Sequence, residues 1–172
     1  MENRSLQLAI IGCGRWGKNH AKTAKRIFGD GLKFICDIDP MQLESVRGIA
    51  GKTALVTSTE QVISDPAVNA VVIATPAETH YALAKQCLEA NKNVLVEKPL
   101  ALFSDEARDL QQLALAKKKI LMVGGASAVA AVALSYALTK PRRRAPAPAA
   151  RAAAPKVDLT MTIVGLPEIK AA

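Results

Sequence analysis

Short apolar runs recur along the first 125 residues, each closed by glycine, proline or acidic residues and followed by a stretch with helical spacing. Leu6 to Ile11 ends at Gly12, which predicts a strand delivered into a tight turn. Trp16 to Phe28 then places Ala21, Ala24 and Phe28 on one helical face. After a break at Gly29 to Gly31, Leu32 to Cys36 predicts a second strand, stopped by Asp37, Asp39 and Pro40. Met41 to Ala50 reads as a helix, Ala54 to Thr57 as a third strand and Gln61 to Ser64 as a helical turn. Ala70 to Ala74 is continuously apolar, the pattern of a central parallel strand. Tyr81 to Ala90 predicts a further helix, and Asn93 to Val96 a strand that stops at Glu97-Lys98-Pro99. Ser104 is the expected N-cap of the next helix, with Asp105 and Glu106 in its first turn and Lys117 to Lys119 at its far end. Ile120 to Val123 supplies a sixth strand. Six strands alternating with helices predict an α/β fold, a doubly wound and mostly parallel Rossmann sheet.

Beyond Gly125 the pattern changes, so the expected organisation is a domain over 1–125 and a tail over 126–172. Ala126 to Leu138 is helix-compatible, and Arg142 to Pro155 is low-complexity Arg/Ala/Pro that is not expected to pack. Val157, Leu159, Met161 and Ile163 alternate with Asp158, Thr160 and Thr162, which predicts a strand over 157–164 needing a sheet edge or a partner.

Composition supports this reading. Half the residues are apolar but only six are aromatic, so the core must be built from Ala, Val, Ile and Leu. The net charge of +8 raises the question of nucleic acid. Seven Lys/Arg and two Asp/Glu lie from Lys140 onward, so five of the eight net charges belong to the tail, which has no interleaved aromatics. No nucleic-acid partner is expected. Ile120 to Leu138 runs 19 residues without a charge, the length of a membrane span, but it is rich in Ala, and its start is claimed by the sixth strand. A membrane-anchored variant through 120–138 is therefore the weaker alternative. Cys13, Cys36 and Cys87 form no paired motif, so no zinc site or disulfide framework is expected. The N-terminus does not read as a signal peptide, which fits a cytoplasmic protein.

The candidate chemistry gathers at the carboxyl ends of the predicted strands. Gly12-Cys13-Gly14-Arg15-Trp16-Gly17 matches G-x-G-x-x-G, directly after a strand and at the opening of a helix. In that context the first glycine allows the turn, the second lets the backbone approach a pyrophosphate, and the third lets helix and strand pack closely. Asp37 ends the second strand, where an acidic side chain accepts from adenosine ribose hydroxyls and repels a 2′-phosphate. NAD is therefore favoured over NADP. Thr75-Pro76 and His80 follow the fourth strand, and Glu97-Lys98-Pro99 follows the fifth. His80 is either a cofactor contact or a capping or surface residue. Lys98 is either a proton-transfer group at a substrate hydroxyl or, with Glu97, a surface pair.

Together, A-I-I-G-C-G-R-W-G-K-N-H, A-V-V-I-A-T-P-A-E-T-H and V-L-V-E-K-P-L resemble, in order and separation, the N-terminal domain of the Gfo/Idh/MocA family of NAD(P)-dependent oxidoreductases, over roughly residues 6 to 125. The resemblance implies that Gly12, Gly14, Arg15, Trp16, Gly17 and Asp37 hold the adenosine and pyrophosphate half of the cofactor. It implies that Thr75, Pro76, His80, Glu97 and Lys98 line the nicotinamide side, with Lys98 the catalytic lysine. The implied reaction is hydride transfer between NAD and a hydroxyl of a sugar or sugar nucleotide, and a homo-oligomer is compatible with it. The G-x-W-G-x-N loop looks most like members acting on UDP-linked uronates. Such proteins continue into a second α/β domain that carries a catalytic histidine, whereas both histidines here, His20 and His80, fall in the cofactor domain. The composition beyond Gly125 is what a shifted reading frame or a fusion produces. The expectation is a truncated homologue that binds dinucleotide, and whether it turns over substrate stays open at this point.

Overall fold

A computed structural model describes residues 6–124, together with the backbone of a two-residue strand at 163–164. Six parallel strands form in chain order: β1 (Leu8–Ile11), β2 (Leu32–Cys36), β3 (Ala54–Val56), β4 (Ala70–Ile73), β5 (Asn93–Glu97) and β6 (Leu121–Gly124). Between them run α1 (Arg15–Phe28), α2 (Pro40–Ala50), α3 (Thr59–Ser64), α4 (His80–Glu89) and α5 (Ser104–Lys117). The spatial order β3-β2-β1-β4-β5-β6 reverses direction between β1 and β4. That crevice is the topological switch point of a Rossmann sheet. Outside β6 lies β7 (Ile163–Val164), antiparallel, with Val164 opposite Leu121 and Ile163 opposite Met122. The rest of the strand predicted over 157–164, and the helix predicted from Ala126, lie outside the described residues.

Alternation along each strand sorts the core onto two faces. Leu8, Ile10, Ile35, Val72, Leu95 and Met122 pack with Ala21 and Ala24 of α1 and Leu43, Val46 and Ala50 of α2. Ala9, Ile11, Val71, Ile73, Val94 and Val96 pack with Val62 of α3, Ala84, Cys87 and Leu88 of α4, and Leu110 and Ala114 of α5. β1 and β4 are buried at every position, as strands covered on both faces must be. The small residues Gly17, Ala21 and Ala24 on α1 bring that helix close to the sheet, which positions its N-terminus over the switch point.

One local expectation changes. Phe103, not Ser104, is the N-cap of α5, because the Glu106 carboxylate reaches back to accept the Phe103 N–H at 3.3 Å. The uncharged run from Ile120 opens as β6, the strand its pattern predicts. No helix among the described residues is long and apolar enough to cross a membrane.

Candidate functional site

A cleft of about 790 Å³ opens at the carboxyl edge of the sheet between β1 and β4. Its walls include Gly12, Gly14, Arg15 and Trp16 from the glycine loop, Asp37 and Ile38 after β2, and Thr75, Pro76 and Thr79 after β4. Seven of the residues singled out in the sequence for a cofactor, Gly12, Gly14, Arg15, Trp16, Asp37, Thr75 and Pro76, therefore share one cavity wall.

The glycine loop owes its shape to two steric requirements. Gly12 has φ +96°, and a Cβ there would lie 2.6 Å from the Ala74 carbonyl group. A Cβ on Gly17 would come within 1.8 Å of the Gly12 carbonyl oxygen, so helix and turn can meet only at a glycine. Gly14 differs. Nothing lies within 4 Å of a Cβ built on it, so its backbone faces open space at the cleft. Gly14 is the N-cap of α1 and offers no side-chain hydrogen bond, whereas Asp39 caps α2 through the Met41 amide and Ser58 caps α3 through the Gln61 amide. The first amides of the 14-residue α1 are thus left to face the cleft, the arrangement that suits a phosphate.

Asp37 is built into the same unit. Its Oδ2 accepts the Cys13 amide at 2.6 Å and its Oδ1 accepts the Asp39 amide at 3.0 Å. Each carboxylate oxygen keeps a further lone pair, so the group can still accept from ribose hydroxyls while it orders the glycine loop. Beside it, Ile38 is 83 % exposed and forms an apolar lip. Burial pushes the Cys13 thiol up to about 12, with the Asp37 charge adding to the effect. Cys13 is buried in the loop, with its thiol directed at the Cys36 carbonyl oxygen at 3.8 Å. Arg15 stands over the Trp16 ring at 5.9 Å.

On the far side of the cleft the arrangement departs from expectation. Glu97 is buried, and its Oε1 lies 2.6 Å from His20 Nε2, so it forms no surface pair with Lys98. The reason is parity: Glu97 faces the same side of β5 as Leu95, towards α1. His80 neither caps a helix from the surface nor lines the cleft. It is 1 % exposed, with Nδ1 2.6 Å from the Pro99 carbonyl oxygen and Nε2 2.9 Å from that of Thr75. Lys98 is exposed, and its amide donates to the Gly124 carbonyl at 3.1 Å. Sequence reasoning passed over His20 as a site residue. Its signal was its place on the buried stripe of α1 with Gly17, Ala21 and Ala24. No cluster of potential metal ligands occurs among the described residues.

Comparison with known proteins gives the family of the domain. The Gfo/Idh/MocA family model, described as an oxidoreductase family with an NAD-binding Rossmann fold, matches residues 6–125. The inositol 2-dehydrogenase of Rhodococcus erythropolis is 31 % identical over 125 residues, which is 72 % of this chain and 36 % of that protein. The scyllo-inositol 2-dehydrogenase (NAD(+)) of Bacillus subtilis is 33 % identical over 105 residues, covering 60 % of this chain and 30 % of the relative. The crystal structure of the WlbA dehydrogenase from Chromobacterium violaceum, in complex with NADH and UDP-GlcNAcA, superposes with a TM-score of 0.64 at 28 % identity, over 72 % of this chain and 36 % of that one. The chain spans about a third of the length of the relatives it matches.

Proposed function

The chain belongs to the Gfo/Idh/MocA oxidoreductase family, and we propose that its Rossmann domain holds NAD across the β1/β4 crevice for oxidation or reduction at a hydroxyl-bearing carbon of a sugar, polyol or sugar nucleotide. The observation that carries this reading is the single unit formed by the glycine loop and Asp37, joined by the 2.6 Å bond from the Cys13 amide. The open backbone at Gly14, the uncapped start of α1 and the Asp37 carboxylate fit pyrophosphate and adenosine ribose in turn. With the ribose held there, the Asp37 carboxylate would repel the 2′-phosphate of NADP, which favours NAD. The substrate class follows the inositol and UDP-sugar relatives.

NAD, when bound, supplies the hydride acceptor or, reduced, the donor. Gly12, Gly14, Arg15, Trp16 and Gly17 would hold the pyrophosphate, Thr75 and Pro76 would support the nicotinamide side, and Glu97 and His80 would act behind that wall rather than on it. Lys98 extends from the carboxyl edge of β5, next to the end of β4, where its Nζ would hydrogen-bond the substrate hydroxyl and pass the proton between that oxygen and water.

Trp16 is the chain's single tryptophan and lines the cleft, so titration with NADH reads binding directly. Quenching of Trp16 emission with sensitised NADH emission is the expected result. No change up to millimolar NADH would exclude the cofactor site.

A further inference from the structure

The segment from Glu97 to Pro99 is gripped from both faces of the sheet by the chain's only two histidines. From α1, His20 Nε2 reaches Glu97 Oε1 at 2.6 Å, while Glu97 Oε2 accepts the Lys98 amide at 3.3 Å. From the opposite face, His80 at the start of α4 spans two carbonyl oxygens, Pro99 at 2.6 Å and Thr75 at 2.9 Å. Thr75 belongs to the cleft wall. One imidazole therefore ties the segment to the helix that opens at the glycine loop, and the other is wedged between the segment and the far wall of the same cleft.

We propose that His20 and His80 are positioning residues that hold the Lys98 segment in register with the nicotinamide end of the cleft. This rests on the dinucleotide reading given above. Filling space does not account for the arrangement, because the buried stripe of α1 is otherwise Gly17, Ala21 and Ala24, and a carboxylate buried against an imidazole is a costly way to pack a helix on a sheet. The side chain of Lys98 makes no hydrogen bond or ion pair among the described residues, so its place is set by its main chain. That main chain is what the two histidines hold. Buried polar partners of this kind lock a neighbouring group through their own fixed geometry.

Two probes separate this role from a general structural one. NADH and ADP-ribose differ by the nicotinamide ring alone, and the adenosine and pyrophosphate contacts lie elsewhere, on the glycine loop and Asp37. In the full chain, His20→Leu and His80→Leu are expected to weaken NADH about tenfold while ADP-ribose stays within about twofold, on the scale of one lost hydrogen bond. His20→Gln, which keeps a donor towards Glu97, should recover most of the NADH affinity. Lys98→Ala should weaken NADH alone, and adding His20→Leu to it should cost little more, because both act through one segment. His80→Asn replaces His80→Leu in the same comparison if the leucine variant does not fold. Equal loss of both ligands, unchanged NADH affinity, or additive losses in the double variant would overturn the proposal. Failure of the wild-type chain to bind either probe would instead overturn the cofactor site itself.

Discussion

His20 Nε2 and Glu97 Oε1 meet at 2.6 Å beneath the sheet, joining the helix that opens at the glycine loop to the end of β5. Both side chains are almost fully buried. Removing one partner strands the other polar group in the core. His20→Leu should therefore cost about 3–5 kcal/mol of stability, and His20→Leu with Glu97→Leu should lie closer to wild type. Urea unfolding of the single and double variants checks this, and a double variant as unstable as the sum of its singles would contradict it.

The glycines of the loop should separate by role. Gly17→Ala forces a Cβ into the Gly12 carbonyl and is expected to unfold the turn, lowering stability by about 3 kcal/mol or more along with NADH affinity. Gly14→Ala meets nothing within 4 Å, so it should leave the melting temperature unchanged and weaken NADH. Thermal melts paired with Trp16 fluorescence titration distinguish the two outcomes.

Asp37 orders the loop through its carboxylate, and in the proposed NAD site the same group disfavours a 2′-phosphate. Asp37→Ala removes the acceptor of the Cys13 amide, and NADH binding should fall about 10- to 100-fold, the range for a hydrogen bond to a charged group. NADPH, freed from the repulsion, should lose less. Parallel titrations of NADH and NADPH give the ratio, and an unchanged preference for NADH would show that Asp37 does not set it.

Burial holds the thiols of Cys13 and Cys87 up at about 12 and that of Cys36 at about 11, against an ordinary value of 9.0. At pH 8 the thiolate population of Cys13 is then about a thousandfold below that of an exposed cysteine. All three should resist alkylation in the folded protein and react on addition of urea. Because the folded values are raised, the stability they lend is complete below pH 9 and declines as pH rises through the interval up to about 12. A denaturation midpoint that held constant from pH 8 to pH 10.5 would contradict the assignment.

Much of the fold was legible in the sequence because its signals are local. Apolar runs closed by Gly, Pro or Asp gave the six strands, and a glycine that must adopt positive φ marked the turn at Gly12. The placement of Asp37 was legible too, since a strand end and a loop two elements apart meet wherever parallel β1 and β2 lie side by side. What the sequence left open were the partners of single polar residues. Glu97 and Lys98 are neighbours in the chain and read as a surface pair, yet strand parity sends Glu97 into the core and leaves Lys98 exposed.

By itself, then, the sequence determined the Rossmann alternation, the glycine loop and the acidic residue beside it, because each depends on residues close in the chain or on backbone sterics. Only the tertiary structure decided that His20, 77 positions from Glu97, is its partner, and that His80 turns inward to bridge Thr75 and Pro99. Those choices depend on which helix covers which face of the sheet. A buried histidine takes whatever acceptor that packing brings within reach, and its sequence neighbours carry no trace of it.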